Sequence, residues 1–439
     1  MNSNDSGARG GSGLGRHALE ELRVDQIEVV PELYPRRRHQ DRTVAQYRQA
    51  LDLLPPIDVV RKDGRIVLVD GYHRLLAHRL EGRQTIAAKT VQAKDILVEA
   101  IRRNAAHGYQ LEDADKATCA RLLYGREENP IKDEGKLASL LGVGERAVRG
   151  YLADIKRKEK DARNARIREL WLDCYSQEEI AEEVGIPVQT VNDQLPKKEQ
   201  LPKSEDAPAS LQSWTLWDEW QDCDERFGCA YPGRMPGQVI ENLLYYLTEP
   251  GDAVLDPMAG SGTTRDVCQA MGRRCFSSDG YPLQGKSFIR KHVIPVGGTL
   301  PEVPGTVARQ KGFRLIVLDP PYWRQADYGD RHGIIGAREG FAEYVERVSA
   351  IIGRALGAVR PGGSVAVIAS STTESGKVYD PVPVWEANAL GEGAQLWDRV
   401  IVPYTSQRAT GEQVAAARKN KMLLRRHRDL VVLQRKGSS

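Results

Sequence analysis

The second half of this chain predicts an α/β domain with a mostly parallel sheet, preceded by an all-helical region and a small α+β module. Three patterns carry that expectation. After Trp214 short apolar runs alternate with stretches of helical periodicity, the mark of a doubly wound sheet. From 111 to about 194 the pattern is helical throughout. From 21 to about 107 β-rich runs and helical patterns alternate over short distances.

The 439 residues are too many for one ordinary core and point to two or three domains. Hydrophobic residues make up 41% and charged residues 28%, a globular composition, and no apolar run reaches the roughly 18 residues of a membrane helix. We expect a disordered leader at 1–20, an α+β module at 21–110, a helical region at 111–195, a linker at 196–213 and the α/β domain at 214–439. The leader is rich in Gly, Ser and Asn and lacks the apolar core of a secretory signal, so the expected compartment is the cytoplasm. Cysteines at 119, 174, 223, 229, 268 and 275 form no Cys-x-x-Cys pair and no zinc spacing, and are expected as reduced thiols with no metal. A net charge of +3 is too small to name a partner. Local clusters matter more: one at 35–39, and one at 418–428 with six Lys or Arg and no acid, each also readable as a solvated face.

In the first module, runs at 57–60, 66–69 and 85–90 read as strands, with a helix from Arg74 onward. Asp70-Gly71-Tyr72-His73-Arg74 follows a strand and opens that helix, so Gly71, His73 and Arg74 sit where a phosphate would be welcome. With Leu54-Pro55-Pro56-Ile57, this stretch resembles the ParB/sulfiredoxin-like domain over about 21–110. Members bind nucleotides or DNA, and partition proteins of the group continue into helix-turn-helix units. The resemblance therefore implies a nucleotide or phosphodiester role, beside a purely structural one. Tyr72 stands where sulfiredoxins carry a reactive Cys, which argues against that chemistry, and Tyr72-His73-Arg74 replaces the acid and paired arginines of partition proteins.

The helical region repeats one spacing twice. Ala138, Gly142 and Val148 stand at offsets 0, 4 and 10, and Ala181, Gly185 and Val191 do the same. The Ala permits close helix contact, the Gly makes the turn and the Val anchors the second helix of a helix-turn-helix. Ser176 and Glu179 form a capping box for the second unit. Base or phosphate contacts would come from Arg146 and Arg149 in the first unit and from Gln189 and Asn192 in the second. A helical bundle that binds no DNA has the same pattern. Beyond it, 196–208 is rich in Lys, Glu, Pro and Ser and reads as an exposed linker.

Two short motifs carry the chemistry. The strand 253–256 runs into Asp256-Pro257-Met258-Ala259-Gly260-Ser261-Gly262-Thr263-Thr264 and a helix, a loop whose glycines let a ligand approach the backbone. A second strand, 274–278, ends in Asp279, placed to accept hydrogen bonds from ribose hydroxyls. Downstream, the apolar strand 315–318 ends in Asp319-Pro320-Pro321-Tyr322-Trp323. An aromatic amine is a poor nucleophile because its lone pair is delocalised. Asp319 and the Pro320 carbonyl would accept its two hydrogens and favour the pyramidal nitrogen that attacks a methyl group in line. Pro321 stiffens the loop and Tyr322 offers a stacking face to an extruded base.

Here the chain resembles the amino-methylating DNA methyltransferases, N6-adenine and N4-cytosine, over about 216–439. The resemblance implies a Rossmann-like fold, S-adenosylmethionine as cofactor with Asp279 on its ribose, and double-stranded DNA as substrate. The segment 231–236, with Met235 and Pro236, resembles the family element that packs against the cofactor's methionine end. Asp at the first catalytic position leans toward adenine N6, with N4 of cytosine the alternative. Cytosine C5 chemistry needs a cysteine nucleophile, usually after proline, and no Pro-Cys occurs. Related loops also methylate RNA bases and glutamine side chains, which the paired helix-turn-helix patterns disfavour. A ParB-like regulator with an inactive methyltransferase domain is the other reading, and the intact Asp319, Gly260 and Gly262 speak against it. The stretch 280–287 fits Gly-x-x-x-x-Gly-Lys-Ser, yet Pro295 closes the next segment too soon for a phosphate loop's helix. Recognised site, a restriction partner and homodimerisation stay open.

Overall fold

The computed structural model describes residues 19–30, 41–106, 111–197, 206–218, 220, 222–230, 234–295, 297–324, 335, 340–374, 376–404 and 410–437. The basic cluster at 35–39, most of the leader, residues 198–205 of the linker and residues 231–233 lie outside them. By contacts the chain divides into two compact units, 1–161 and 162–439. The first helix-turn-helix falls with the small sheet and the second with the large one.

In the first unit the strands are β1 (Leu19–Arg23), β2 (Ile27–Glu28), β3 (Ile57–Lys62), β4 (Arg65–Asp70) and β5 (Thr85–Thr90). They form one mixed sheet in the order β1-β5-β3-β4-β2. Helices α1 (Asp41–Arg48) and α2 (Tyr72–Leu80) accompany it, and Ile57, Val59, Leu68, Leu75 and Ala88 build its core. Helices α3 (Ile96–Ala106), α4 (Asp113–Gly125), α5 (Glu134–Leu141) and α6 (Glu145–Leu172) follow. The Asp133 side chain caps α5 by accepting from the Lys136 amide at 2.7 Å, Gly142 makes the turn at φ 63°, and Ala138 and Val148 are buried together, as the offsets predict. With no Gly or Pro between 151 and 173 to stop it, α6 runs on for 28 residues.

The second unit begins within α6, at Ala162. Helices α7 (Gln177–Val184) and α8 (Val188–Gln194) form the second helix-turn-helix. The capping box is present, with Ser176 and Glu179 each bonded to the other's backbone, and Gly185 turns the chain at φ 71°. Residues 210–213, expected as linker, are tied down: Gln212 donates its amide to Asn242 at 2.8 Å and Ser210 its hydroxyl to Glu241 at 2.6 Å. Both acceptors belong to α9 (Gly237–Leu247).

Then come β6 (Ala253–Asp256), α10 (Thr263–Ala270), β7 (Arg274–Asp279), β8 (Ile289–Lys291), α11 (Thr306–Lys311), β9 (Phe313–Leu318), α12 (Phe341–Ala358) and β10 (Val359–Ala369). A small hairpin, β11 (Thr372–Glu374) and β12 (Lys377–Tyr379), precedes α13 (Val382–Gly391), β13 (Ala394–Pro403), α14 (Gly411–Lys419) and β14 (His427–Arg435). The seven-stranded sheet runs β13-β14-β10-β9-β6-β7-β8. β14 alone pairs antiparallel to its neighbours, so the expected mostly parallel, Rossmann-like sheet is what forms. Sequence alternation decides the layers. Leu315 and Val317 face the cluster holding α9 and α10, while Ile316 and Leu318 face the one holding α12 and α13. Burial on both faces is why β9 reads as an unbroken apolar run, each such side chain contributing about 1.5–3 kcal/mol. Residues 360–363 lie inside β10, marked by a register shift between Val359 and Ser364 and by Gly362 at φ 75°. After 280–287 comes the three-residue strand β8 rather than a helix, so no phosphate loop forms there.

Candidate active site

The chain enters the large sheet at its middle. β6 leads outward to β7 and β8, and the chain then crosses back to lay β9 and β10 on the other side of β6. The junction of β6 and β9 is therefore the switch point where the following loops diverge and leave a crevice. The glycine loop leaves the carboxyl end of β6 and residues 319–323 leave that of β9. Val254 pairs with Leu315 and Leu255 with Ile316, so the two loops emerge side by side.

The glycine loop is held by its own polar groups. Asp256, 4% exposed, accepts from the Met258 amide at 3.0 Å and bonds the Thr264 side chain. Burial raises its carboxyl to about 7, with Asp319 and Asp279 pushing the same way. The Ala259 amide donates to the Ser278 carbonyl at 3.0 Å, and Ser261 and Thr263 hydroxyls lie 2.9 Å apart. Pro257, Ala259, Thr263 and Thr264 are buried, whereas Gly260 and Asp279 remain partly open. Asp279 accepts from the Gly260 amide at 3.0 Å and the Tyr281 amide at 2.8 Å, so the acid that ends β7 also sets the loop's shape. Gly262 caps α10 at φ 82°, and a Cβ there would lie 2.9 Å from the Phe288 ring. A glycine pair and an acid on the next strand suit a nucleoside carrying a ribose. Residues 222–230 lie over this loop: the Gly228 amide donates to Asp266 at 2.8 Å, and Cys229 sulfur is 3.8 Å from the Ser261 carbonyl. Met235 is buried and shares a core with Val254 of β6, and Pro236 stands at the N-cap of α9.

At the end of β9, the Tyr322 hydroxyl donates to Asp319 Oδ1 at 3.3 Å. Burial lifts the Asp319 carboxyl to about 6, against the opposing pull of Arg428 and the Tyr322 hydrogen bond. Burial, then the neighbouring Asp319, pushes the Tyr322 phenol well above its usual range. Pro320 is buried and Pro321 partly so. Behind the loop Trp323 packs in an aromatic cluster, 4.7 Å from Tyr379 and 5.3 Å from Phe341 between ring centroids, and its carbonyl accepts from Thr372 at 2.8 Å.

Sequence reading missed three of the surrounding groups. Arg428, counted in the solvent-facing basic cluster, is 5% exposed and lies 4.8 Å from the Tyr404 ring centroid. The Tyr404 hydroxyl in turn donates to Ser370 at 2.9 Å. The register of β14 against both β10 and β13 brings them in, and no local motif announces it.

The expected nucleic-acid residues stand apart from this crevice in sequence and differ in freedom. Arg146 is exposed, while Arg149 pairs with Glu134 at 3.4 Å and Glu145 at 3.5 Å. Gln189 is exposed and donates to Asp193 at 3.3 Å, and Asn192 is half-buried. In the small module Gly71 caps α2 at φ 104° and His73 makes an edge contact with Tyr72. Arg74 turns inward to Asp70 at 2.6 Å and to the carbonyls of Pro55 and Pro56, so its guanidinium is already occupied. All six cysteines are free thiols, and no cluster of metal-binding side chains occurs among the described residues. No described helix is long and apolar enough to cross a membrane.

A seven-stranded sheet with one reversed strand, and two loops meeting at its switch point, define a Rossmann-like class of fold. A family model agrees with the resemblance over the first of the two loops. The model of a family described as DNA methylase matches residues 152–282, which takes in the second helix-turn-helix and the glycine loop and stops short of Asp319. The Type II methyltransferase M2.DpnII of Streptococcus pneumoniae is 36% identical over 55 residues, 12% of this chain. The chain thus spans about a fifth of that relative's length, 20%. Among solved structures, the partition protein ParB from Caulobacter crescentus, complexed to the centromeric parS site, is 16% identical, covering 40% of this chain and 97% of its own, at a TM-score of 0.24. TrmN from Thermus thermophilus is 18% identical, covering 46% of this chain and 49% of its own, at a TM-score of 0.28.

Proposed function

We propose that the protein is a site-specific DNA methyltransferase that moves a methyl group from S-adenosylmethionine to an exocyclic base amine, with adenine N6 the favoured target and cytosine N4 the alternative. The observation that carries this reading is the placement of Asp319-Pro320-Pro321-Tyr322 beside the glycine loop, at the carboxyl ends of adjacent strands across the switch point. Gly260, Gly262 and Asp279 would hold the cofactor's nucleoside, with Met235 and Pro236 at its methionine end. When bound, that cofactor supplies a methyl group made electrophilic by sulfonium.

The chain's own residues do the rest. Asp319 and the Pro320 carbonyl accept the two amine hydrogens, drawing the nitrogen lone pair out of conjugation and aiming it. With that cofactor in place, the substrate nitrogen would take the methyl carbon as the carbon leaves sulfur, and the Asp319 carboxylate would accept the amine proton released. An Asp319 carboxyl lifted to about 6 is a better proton acceptor than an ordinary aspartate. Tyr322 bonds Asp319 through its hydroxyl and keeps a ring face for the base. Double-stranded DNA would be engaged by the helix-turn-helix units through Arg146, Arg149, Gln189 and Asn192.

The test incubates the full chain with labelled S-adenosylmethionine and either duplex DNA or RNA, then identifies the modified nucleoside by mass spectrometry. N6-methyladenine in DNA is expected, with transfer lost in Asp319→Ala while cofactor binding is retained. Label confined to RNA overturns the substrate assignment, and N4-methylcytosine selects the alternative.

A further inference from the structure

We propose that Arg428 is a positioning residue of the catalytic loop, the buried positive charge that holds the Asp319 carboxyl as a hydrogen-bond acceptor for the substrate amine. The inference rests on the reading of residues 319–322 as the amine-binding loop.

Strand register puts Arg428 there. Asp429 pairs with Ala369 at the carboxyl end of β10, and Val367 of β10 pairs with Leu318 of β9, the residue before Asp319. Because β14 runs antiparallel, its start and not its end lies at the edge where the catalytic loop emerges. Arg428 is 5% exposed, and its Nε and Nη1 have no hydrogen-bond partner among the described residues. Its one ring contact is Tyr404, at 4.8 Å, and Tyr404 is itself pinned by its hydroxyl to Ser370 at 2.9 Å and by its amide to the Arg426 carbonyl at 2.9 Å.

A guanidinium kept dry with two unmade donors is strongly disfavoured unless an opposite charge lies near. Its electrostatic neighbours are Tyr322, Asp319, Tyr404 and Cys223, of which Asp319 is the carboxylate. Around Asp319 stand Tyr322 on its own loop, Arg428 from β14, Tyr404 at the end of β13 and Asp256 at the end of β6. Arg428 is the sole cation of that set. It opposes burial, which favours the protonated carboxyl, and a protonated Asp319 would offer the amine one acceptor fewer.

The test follows the Asp319 carboxyl through a pH titration by carbon-13 NMR of the full chain, its signal identified by loss in Asp319→Asn. In the wild type the midpoint is expected near 6. Arg428→Met should raise it by about one pH unit or more, and Arg428→Lys should return it to within about half a pH unit. In single-turnover methylation the acid limb should move with it, so that a midpoint raised to about 7 slows Arg428→Met about fivefold at pH 6, with recovery at pH 9. Cofactor affinity should not change. A midpoint that stays put in Arg428→Met, or in Arg428→Gln should the first variant fail to fold, overturns the proposal. A wild-type chain that methylates nothing sinks the catalytic reading alone, since the titration still reports whether the two charges are paired.

Discussion

Arg265 donates to Asp173 at 2.6 Å, and both side chains are buried, at 3% and 0% exposure. The pair joins the turn before the second helix-turn-helix to the first turns of α10, the helix that follows the glycine loop. Arg290 reaches the other Asp173 oxygen at 3.1 Å, and Arg265 also lies 5.1 Å from the Phe288 ring that packs against Gly262. A second tie runs from Glu179, the capping-box acid of α7, to the Thr306 hydroxyl at 2.9 Å. Gly305 comes so close to the Cys174 backbone that a Cβ would lie 2.1 Å from its carbonyl carbon. The second helix-turn-helix is thus bolted to the sheet domain by buried charge and close backbone contact.

Asp173→Ala leaves Arg265 buried without its carboxylate, a loss of about 3–5 kcal/mol. Urea unfolding of the full chain should show a lowered midpoint for the C-terminal unit. An unchanged midpoint would mean the pair contributes nothing net.

Gly262→Ala should weaken cofactor binding and stability together. The residue sits at φ 82°, where an added Cβ is strained and meets the Phe288 ring at 2.9 Å. A cost of about 1 kcal/mol or more in unfolding is expected, with a severalfold rise in the cofactor dissociation constant by calorimetry. Cofactor affinity within error of wild type would count against the loop as the binding site.

Asp256 and Asp319 have native values near 7 and 6, raised above the ordinary carboxyl range of about 4. The native state therefore holds more protons than the unfolded chain between about pH 4 and pH 7. The contribution of these two groups is full below about pH 4 and is lost as pH rises through 6 and 7. Asp256→Asn should flatten that part of the stability profile, measured by denaturant unfolding at successive pH values.

Gln189→Ala and Asn192→Ala should act on sequence preference, each relaxing discrimination by about 1–3 kcal/mol at one base position. Arg146→Ala should instead weaken binding evenly across sequences and reduce the salt slope by about one. Competition binding with matched and mismatched duplexes at several salt concentrations separates the two. Equal loss on every sequence from Gln189→Ala would remove it from base reading.

The sequence by itself determined the elements and the two loops. Asp256–Thr264 and Asp319–Tyr322 are short, and their chemistry follows from glycines, prolines and an apolar strand within a few residues of one another. The helix-turn-helix spacings and the Ser176–Glu179 box are equally local, and the structure has them where the offsets put them. Tertiary structure alone decided what surrounds the loops. Arg428 looks like one more surface charge in a basic run until strand order carries it into the core beside Tyr404. Arg265 and Asp173 lie 92 positions apart, with nothing local in either stretch to announce the pairing. The reason is physical. A turn or a strand end is set by neighbours along the chain, whereas a buried charge is defined by the partner that excludes water from it, and that partner is chosen by the fold.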